Sequence, residues 1–516
     1  MRVARSAPFA ATVVAICSGA ILFATAAAGM PAASGAAFAT GRSASHGSFP
    51  GAPGAALAIG HTAGHGSLPA APGTALAHSA GQASLAHDPP DQQPEAPPSE
   101  PAQPPRPIRF VWSDDRPSLR LGRFARIDFL LRLQGDLRGS GLEPPQDDVF
   151  DFSRRRVGVD GEALGFLEFQ VERELRSGNP WRDVYLNARL AEAIELRGGK
   201  FKVPFSEDEL TSGTDLDFVS RSLAARTIAA GRSVGAMLHG RVRIAEGGPR
   251  IGYDIGVFRQ DGDNTRLSRD PIFLLPGEAA PASRHRLVSG RVEVAPFVGP
   301  GRDARLRSIR LSIAAAVNDV PEGLNSVRGR DSLGEPFFPE VLVEGRRLRA
   351  GAAASWSGGP VTVKAEAMQM RDERRGQGTA DEDLPQVVVT GWFVSITHAL
   401  VRGGRGATGA GRRVGSGGIG AIEVGARIER LRFASADGDL VPRDRSTSAS
   451  SSPSPRAASL AAASDTVSTF GVTWRPVPLA RVQFNIVRDQ LEGHPWTARF
   501  FQPRVWSAVG RFQFAF

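Results

Sequence analysis

The chain has 516 residues, of which 41% are hydrophobic, and a formal charge of +9. A helical membrane protein needs apolar runs of about 20 residues, and only residues 10–28 offer one, so that class is excluded. The one cysteine, Cys17, lies in that run, so a chain cleaved behind it has no disulfide, no thiolate catalyst and no cysteine-ligated zinc.

At the N-terminus, Arg2 and Arg5 precede the apolar run, and Ala26-Ala27-Ala28 gives a small-x-small cleavage site before Gly29. The expectation is an export signal over 1–28; a second cleavage site, Ala37-Phe38-Ala39, and an uncleaved anchor are alternatives. Residues 29–106 are rich in Ala, Gly, Pro and Ser. His46-Gly47-Ser48-Phe49-Pro50 recurs as His65-Gly66-Ser67-Leu68-Pro69. Such a stretch buries too little apolar surface to fold alone and reads as a tether. His46, His61, His65, His78 and His87 fall in it; a disordered linker is the default reading, and weak metal binding is the alternative.

From about residue 118 the hydrophobic period is two, as in half-buried strands. Ile127, Phe129, Leu131 and Leu133 share one face, against Arg126, Asp128, Arg132 and Gln134. Leu167, Phe169 and Val171 oppose Glu168, Gln170 and Glu172; Val184, Leu186, Ala188 and Leu190 oppose Asp183, Tyr185, Asn187 and Arg189. The pattern continues through Leu311, Ile313, Ala315 and Val317, then Ile422, Val424, Ala426 and Ile428, then Phe470, Val472 and Trp474. The last strand carries Trp506, Ala508, Gly510, Phe512, Phe514 and Phe516 on one face, with Ser507, Arg511 and Gln513 on the other. Gly-, Pro- and charge-rich stretches such as 402–418 and 434–464 read as connections.

A soluble sheet with one wet face also alternates. Three features favour a barrel in lipid: strands recur to the chain end, the polar face is densely ionised, and the final strand resembles the C-terminal assembly signal of bacterial outer-membrane proteins. The expected fold is therefore all-β, a transmembrane antiparallel barrel over 107–516. Allowing about 20–27 residues per strand and connection gives an even number near sixteen. Phe516 would then engage the barrel-assembly machinery of a Gram-negative outer membrane.

Three motifs carry a resemblance to a known family. The first is Phe152-Ser153-Arg154-Arg155-Arg156-Val157-Gly158-Val159-Asp160-Gly161. The second is Gly199-Lys200-Phe201-Lys202-Val203-Pro204-Phe205-Ser206, running on through Glu209-Leu210-Thr211-Ser212 to Asp217-Phe218-Val219-Ser220-Arg221-Ser222-Leu223. The third is Gly231-Arg232-Ser233-Val234-Gly235 with Leu238-His239-Gly240. At this spacing the chain resembles the phosphate-selective porin family of the O/P type, with weaker similarity from Tyr253 to the end. The resemblance implies a homotrimer of 16-stranded barrels with inward-folded loops. It also implies an arginine-lined constriction that passes inorganic, phosphate-like anions.

Parity assigns the arginines. If Val157 and Val159 face lipid, Arg154, Arg156 and Asp160 face the lumen, and Arg126, Arg132 and Arg189 do so by alternation. Arg328 and Arg330 form an R-x-R in a long connection, where the family places pore arginines. Guanidinium stays charged and offers forked donors that match phosphate oxygens. Lysine occurs only at Lys200, Lys202 and Lys364, whereas phosphate channels of this family gather anions with many lysines, so the solute stays open between phosphate and other anions. The basic balance by itself also suits nucleic acid or anionic lipid; the reading adopted has lipid around the barrel and no nucleic-acid partner.

Gly415-Ser416-Gly417-Gly418-Ile419-Gly420 satisfies a dinucleotide-loop pattern but lacks a strand–turn–helix setting. No nucleophile elbow, triad or metal cluster is legible, so neither an enzyme nor a cofactor is expected. The competing expectation is a barrel plugged by its own loops, serving a structural or binding role without transport.

Overall fold

The computed structural model describes residues 108–516, apart from 114–115, 142–148, 176–180, 246–247, 260, 265–285, 299–304, 326, 402–419, 437–454, 458–459 and 494–502. The expected export signal and tether lie outside the described residues, as does the glycine-rich loop at 415–419.

Sixteen antiparallel strands close into a barrel, as expected. A hairpin, β1 (Ile108–Ser113) and β2 (Arg116–Leu121), precedes it. The ring starts with β3 (Ala125–Ser140), β4 (Val149–Ala163), β5 (Leu167–Glu174), β6 (Trp181–Ala191), β7 (Ile194–Lys202) and β8 (Arg232–Arg243). It continues with β9 (Arg250–Phe258), β10 (Leu287–Ala295), β11 (Arg310–Leu324), β12 (Leu342–Gly358), β13 (Val361–Arg374) and β14 (Leu384–Val401). The last four are β15 (Ala421–Ser435), β16 (Ala463–Val477), β17 (Ala480–Glu492) and β18 (Arg504–Ala515). β18 closes the ring by pairing with β3, from Ser507↔Ser140 to Ala515↔Arg132. β15 and β16 each reach two residues into the expected 434–464 connection.

Side chains on alternate positions of a strand point to opposite faces, and the barrel sorts them as the period predicted. Phe129, Val157, Leu186, Ile313, Ile428, Phe470 and Phe512 are exposed on the outside. Asp128, Gln134, Arg156, Glu172, Asn187, Arg511 and Gln513 are buried inside. Short turns gather at the end that carries the C-terminus. In one of them Leu164 and Gly165 both have positive φ, 56° and 75°. This is the mirror-image turn that matches strand twist, and Leu164 tolerates it with its side chain in the open.

The longest described connection, 203–231 between β7 and β8, enters the lumen. It contains two short helices, α1 (Glu207–Leu210) and α2 (Leu223–Ile228). Ser206 caps α1 by accepting from the Glu209 amide, and Ser222 caps α2 by accepting from the Ala225 amide. Buried Glu366 on β13 accepts from the Glu207 and Asp208 amides at 2.9 and 3.1 Å. A carboxylate at these orphan donors also suits the helix dipole.

Sequence alternation predicts a polar inner face throughout, but part of it is apolar. Met368, Met370, Val387, Val389, Leu431 and Phe433 point inward from β13, β14 and β15. They pack against Val203, Phe205, Leu223 and Ile228 of the 203–231 loop, and against Phe337 and Phe338 of a second loop at 325–341. The Phe338 and Phe433 rings stack at 4.6 Å. A hydrophobic core therefore fills one side of the lumen, because two loops there need a dry surface to fold against.

Candidate functional site

On the other side of the 203–231 loop an open cleft of about 400 Å³ remains. Its cationic lining comes from β3 (Arg138), β4 (Arg154, Arg156), β6 (Arg182), β7 (Lys202), β8 (Arg232), β18 (Arg511) and the loop itself (Arg221, Arg226). Glu209 is the acid that lines it.

Pairing divides these nine cations. Arg511 grips Asp136 with both prongs, at 2.6 and 2.7 Å, and Arg138 reaches the same carboxylate at 3.4 Å. Arg156 bridges Glu172 at 3.0 Å and Glu174 at 2.7 Å. Arg232 forks onto Asp183, its closest contact 2.7 Å, and Arg221 meets Glu209 at 3.1 Å. These charges are largely neutralised by their partners.

The remaining four touch no carboxylate among the described residues. Arg154 donates to Gln134 Oε1 at 2.8 Å and to the Gly213 carbonyl at 3.2 Å. Lys202 donates to the carbonyls of Glu209, Leu210 and Thr211, at 2.7, 3.1 and 2.8 Å, where a cation suits the end of a helix. Arg226 donates to the Asp331 carbonyl at 3.1 Å. Arg182 leaves its buried Nε without a partner. Burial lowers the pKa of Arg226 from its ordinary value, and Glu429 offsets this only in part; a guanidinium so shifted is still charged near neutrality. A desolvated cation without a counter-charge is costly, and an anion entering the cleft relieves that cost.

Wall side chains also hold the loop by its backbone. Arg511 donates to the Val219 carbonyl at 2.6 Å and Arg427 to the Ser220 carbonyl at 2.9 Å. Arg481 donates to the carbonyls of Thr214 and Leu216. Arginines here position the loop as well as charging the cleft, and each use meets the requirement that buried polar groups be satisfied.

Of the residues expected from sequence, Arg154 and Arg156 line the cleft. Arg132 lies beside them on Glu172 at 3.1 Å, outside the lining. Arg126 pairs with Asp128 at 3.2 Å, and Arg189 with Glu162 and Glu168 at 2.7 and 3.2 Å, all nearer the terminus end of the wall. Arg328 pairs with Glu340, and Arg330 donates to the Gly334 carbonyl at 2.6 Å, both within the 325–341 loop and away from the cleft. Arg138, Arg182 and Arg511 were missed although each continues a polar face. Lys202, Arg221 and Arg232 lie inside the quoted motifs, and Arg226 sits on a helix that alternation does not reveal. Among the described residues no group of three or more His, Cys, Asp or Glu could hold a metal ion.

The family model for phosphate-selective porin O and P matches residues 131–319, which span β3 to β11 and most of the cleft. No curated protein sequence matches the chain. Solved structures with similar folds include OmpT of Vibrio cholerae, 11% identical at a TM-score of 0.46 over 77% of this chain and 99% of that one. An anion-selective porin from Comamonas acidovorans is 13% identical at 0.44, over 76% of this chain and 100% of its own. OprB of Pseudomonas putida is 12% identical at 0.44, over 76% and 94%.

Proposed function

We propose that this outer-membrane porin, which carries the phosphate-selective porin O and P pattern over residues 131–319, passes small phosphate-like anions by passive diffusion through its arginine-lined cleft. The observation that carries this reading is the set of four cations, Arg154, Arg182, Lys202 and Arg226, that face the cleft without a contacting carboxylate among the described residues. Five further cations are paired, so they orient donors while adding less net field. Anions are drawn in by the excess charge, exchange water for guanidinium donors, and leave because no donor set encloses them fully. In this reading residues 1–28 direct export and three copies associate in the membrane.

The test is single-channel recording in chloride with added phosphate. Phosphate is expected to lower chloride conductance in the wild type, and the Arg154→Ala/Arg182→Ala double variant is expected to lose that block. An unchanged block in the double variant would move the anion site elsewhere.

A plugged barrel is the second reading, and the hydrophobic core between the two inward loops favours it. Liposome swelling separates the two: a plugged barrel admits no solute.

A further inference from the structure

The β1–β2 hairpin stands outside the sixteen-strand ring, and its position follows from how β3 is shared. β18 pairs with β3 only from Arg132 to Ser140. Below that, Ala125–Asp128 pairs with β2 through Leu121, Arg120, Leu119 and Ser118. Phe516 sits between the two segments, its amide and carbonyl both bonded to Leu131 at 3.0 Å. The Trp112 ring lies 6.1 Å from the Phe516 ring. The hairpin thus continues the wall where the C-terminal strand stops.

Register decides which way its faces point. Ile108, Phe110 and Trp112 stand opposite Leu121, Leu119 and Pro117, so these six share a face. Leu119 in turn stands opposite Ile127, which lies on the same face as lipid-facing Phe129. The other face is polar: Ser118 donates to Asp128 in the lumen wall at 2.5 Å, and Arg116 pairs with Asp160 at 3.3 Å. The apolar face is open, with Ile108, Phe110 and Trp112 at 60, 67 and 58% exposure. A contiguous apolar patch of this kind marks an interaction surface. Its continuity with the outside of the barrel, and a tryptophan at the rim, select a lipid boundary as the occupant.

We propose that the apolar face of the β1–β2 hairpin docks into the headgroup–acyl boundary of the membrane leaflet at the terminus end, with Trp112 as its anchor. This rests on the outer-membrane reading. The hairpin would then shield the joint between β3, β18 and Phe516 from water.

The test uses the full chain with Cys17→Ser and single cysteines at Phe110, Arg109 or Ile313, each carrying an environment-sensitive fluorophore. The protein is placed in phosphatidylethanolamine–phosphatidylglycerol vesicles with or without brominated acyl chains. The Phe110→Cys label is expected to be quenched by brominated lipid to the same extent as Ile313→Cys on the barrel wall, while Arg109→Cys is quenched by aqueous iodide. Quenching of Phe110→Cys by iodide alone, with Ile313→Cys still quenched by lipid, would place the hairpin in water and overturn the proposal. Protection from both quenchers would mean that a second copy covers the face, and would also overturn it. If Ile313→Cys escapes lipid quenching, the membrane reading itself fails and the proposal falls with it.

Discussion

Arg154 and Arg511 are both wall arginines, yet they play different parts because their neighbours differ. Arg511 shares a bidentate pair with Asp136, whereas Arg154, among the described residues, donates to an amide oxygen and a carbonyl. Removing one partner of a buried pair leaves the other charge stranded, at a cost of about 3–5 kcal/mol. Asp136→Ala should therefore lower the unfolding temperature of the folded barrel, read by the heat-dependent shift in gel mobility. Arg154→Gln should leave that temperature nearly unchanged and reduce the anion-over-cation permeability ratio. Gly213 gives a second handle on the same guanidinium. A Cβ at Gly213 would lie 2.2 Å from Arg154 Nη1, the movable end of a long side chain. Gly213→Ala should push that end aside and lower the permeability ratio in the same direction as Arg154→Gln, while the barrel still folds. Sequence parity placed Arg154 and Arg156 in the lumen correctly. It could not say which was neutralised, because Arg156 owes its partners, Glu172 and Glu174, to the register of β4 on β5.

At the scale of elements, the two inward loops decide how much of the lumen stays open. The 325–341 loop is fastened to the wall by Ser332, whose amide and hydroxyl donate to Asp489 on β17 at 2.9 and 2.6 Å. Next to it, Asp331 accepts from the Glu335 amide at 2.8 Å. Burial, with the nearby Asp489 charge adding to it, pushes the Asp331 carboxyl up to about 6. A carboxyl raised in the folded state binds its proton more tightly there than in the unfolded chain. Its contribution to loop docking is complete below its ordinary value near 3.8, and is lost as pH rises through about 6. Protection of 325–341 from proteolysis or hydrogen exchange should fall over that interval, and Asp331→Asn should flatten the dependence. A dependence that persists in Asp331→Asn would assign it to another group. These loops were poorly legible in the sequence. Ser206 and Ser222 are visible as caps, but α1 and α2 have only 4 and 6 residues, too few to show a helical period. The inward Met368, Met370, Leu431 and Phe433 look like ordinary strand residues until the loops that cover them are in place. The β1–β2 hairpin was missed for a similar reason: Pro117 and the adjacent Asp114-Asp115 break the pattern, and each strand has 6 residues.

For the whole molecule, alternation proved the most informative property of the sequence, because most strands of the barrel set an apolar outer face against a polar inner one, with β13–β15 departing from it where the inward loops pack. The two-faced strands followed from it; the count near sixteen came from chain length and the even-number rule, and the seat of Phe516 against Leu131 at the β3–β18 joint is visible only in the structure. What alternation leaves open is the sign and depth of the field across the lumen. That field depends on side chains drawn from six strands and one loop, some of them cancelled in pairs. The most direct test is the zero-current potential of the reconstituted protein under a potassium chloride gradient. A chloride-over-potassium permeability ratio above one is expected, declining in Arg154→Ala/Arg182→Ala; a ratio below one in the wild type would overturn the anion-passing reading.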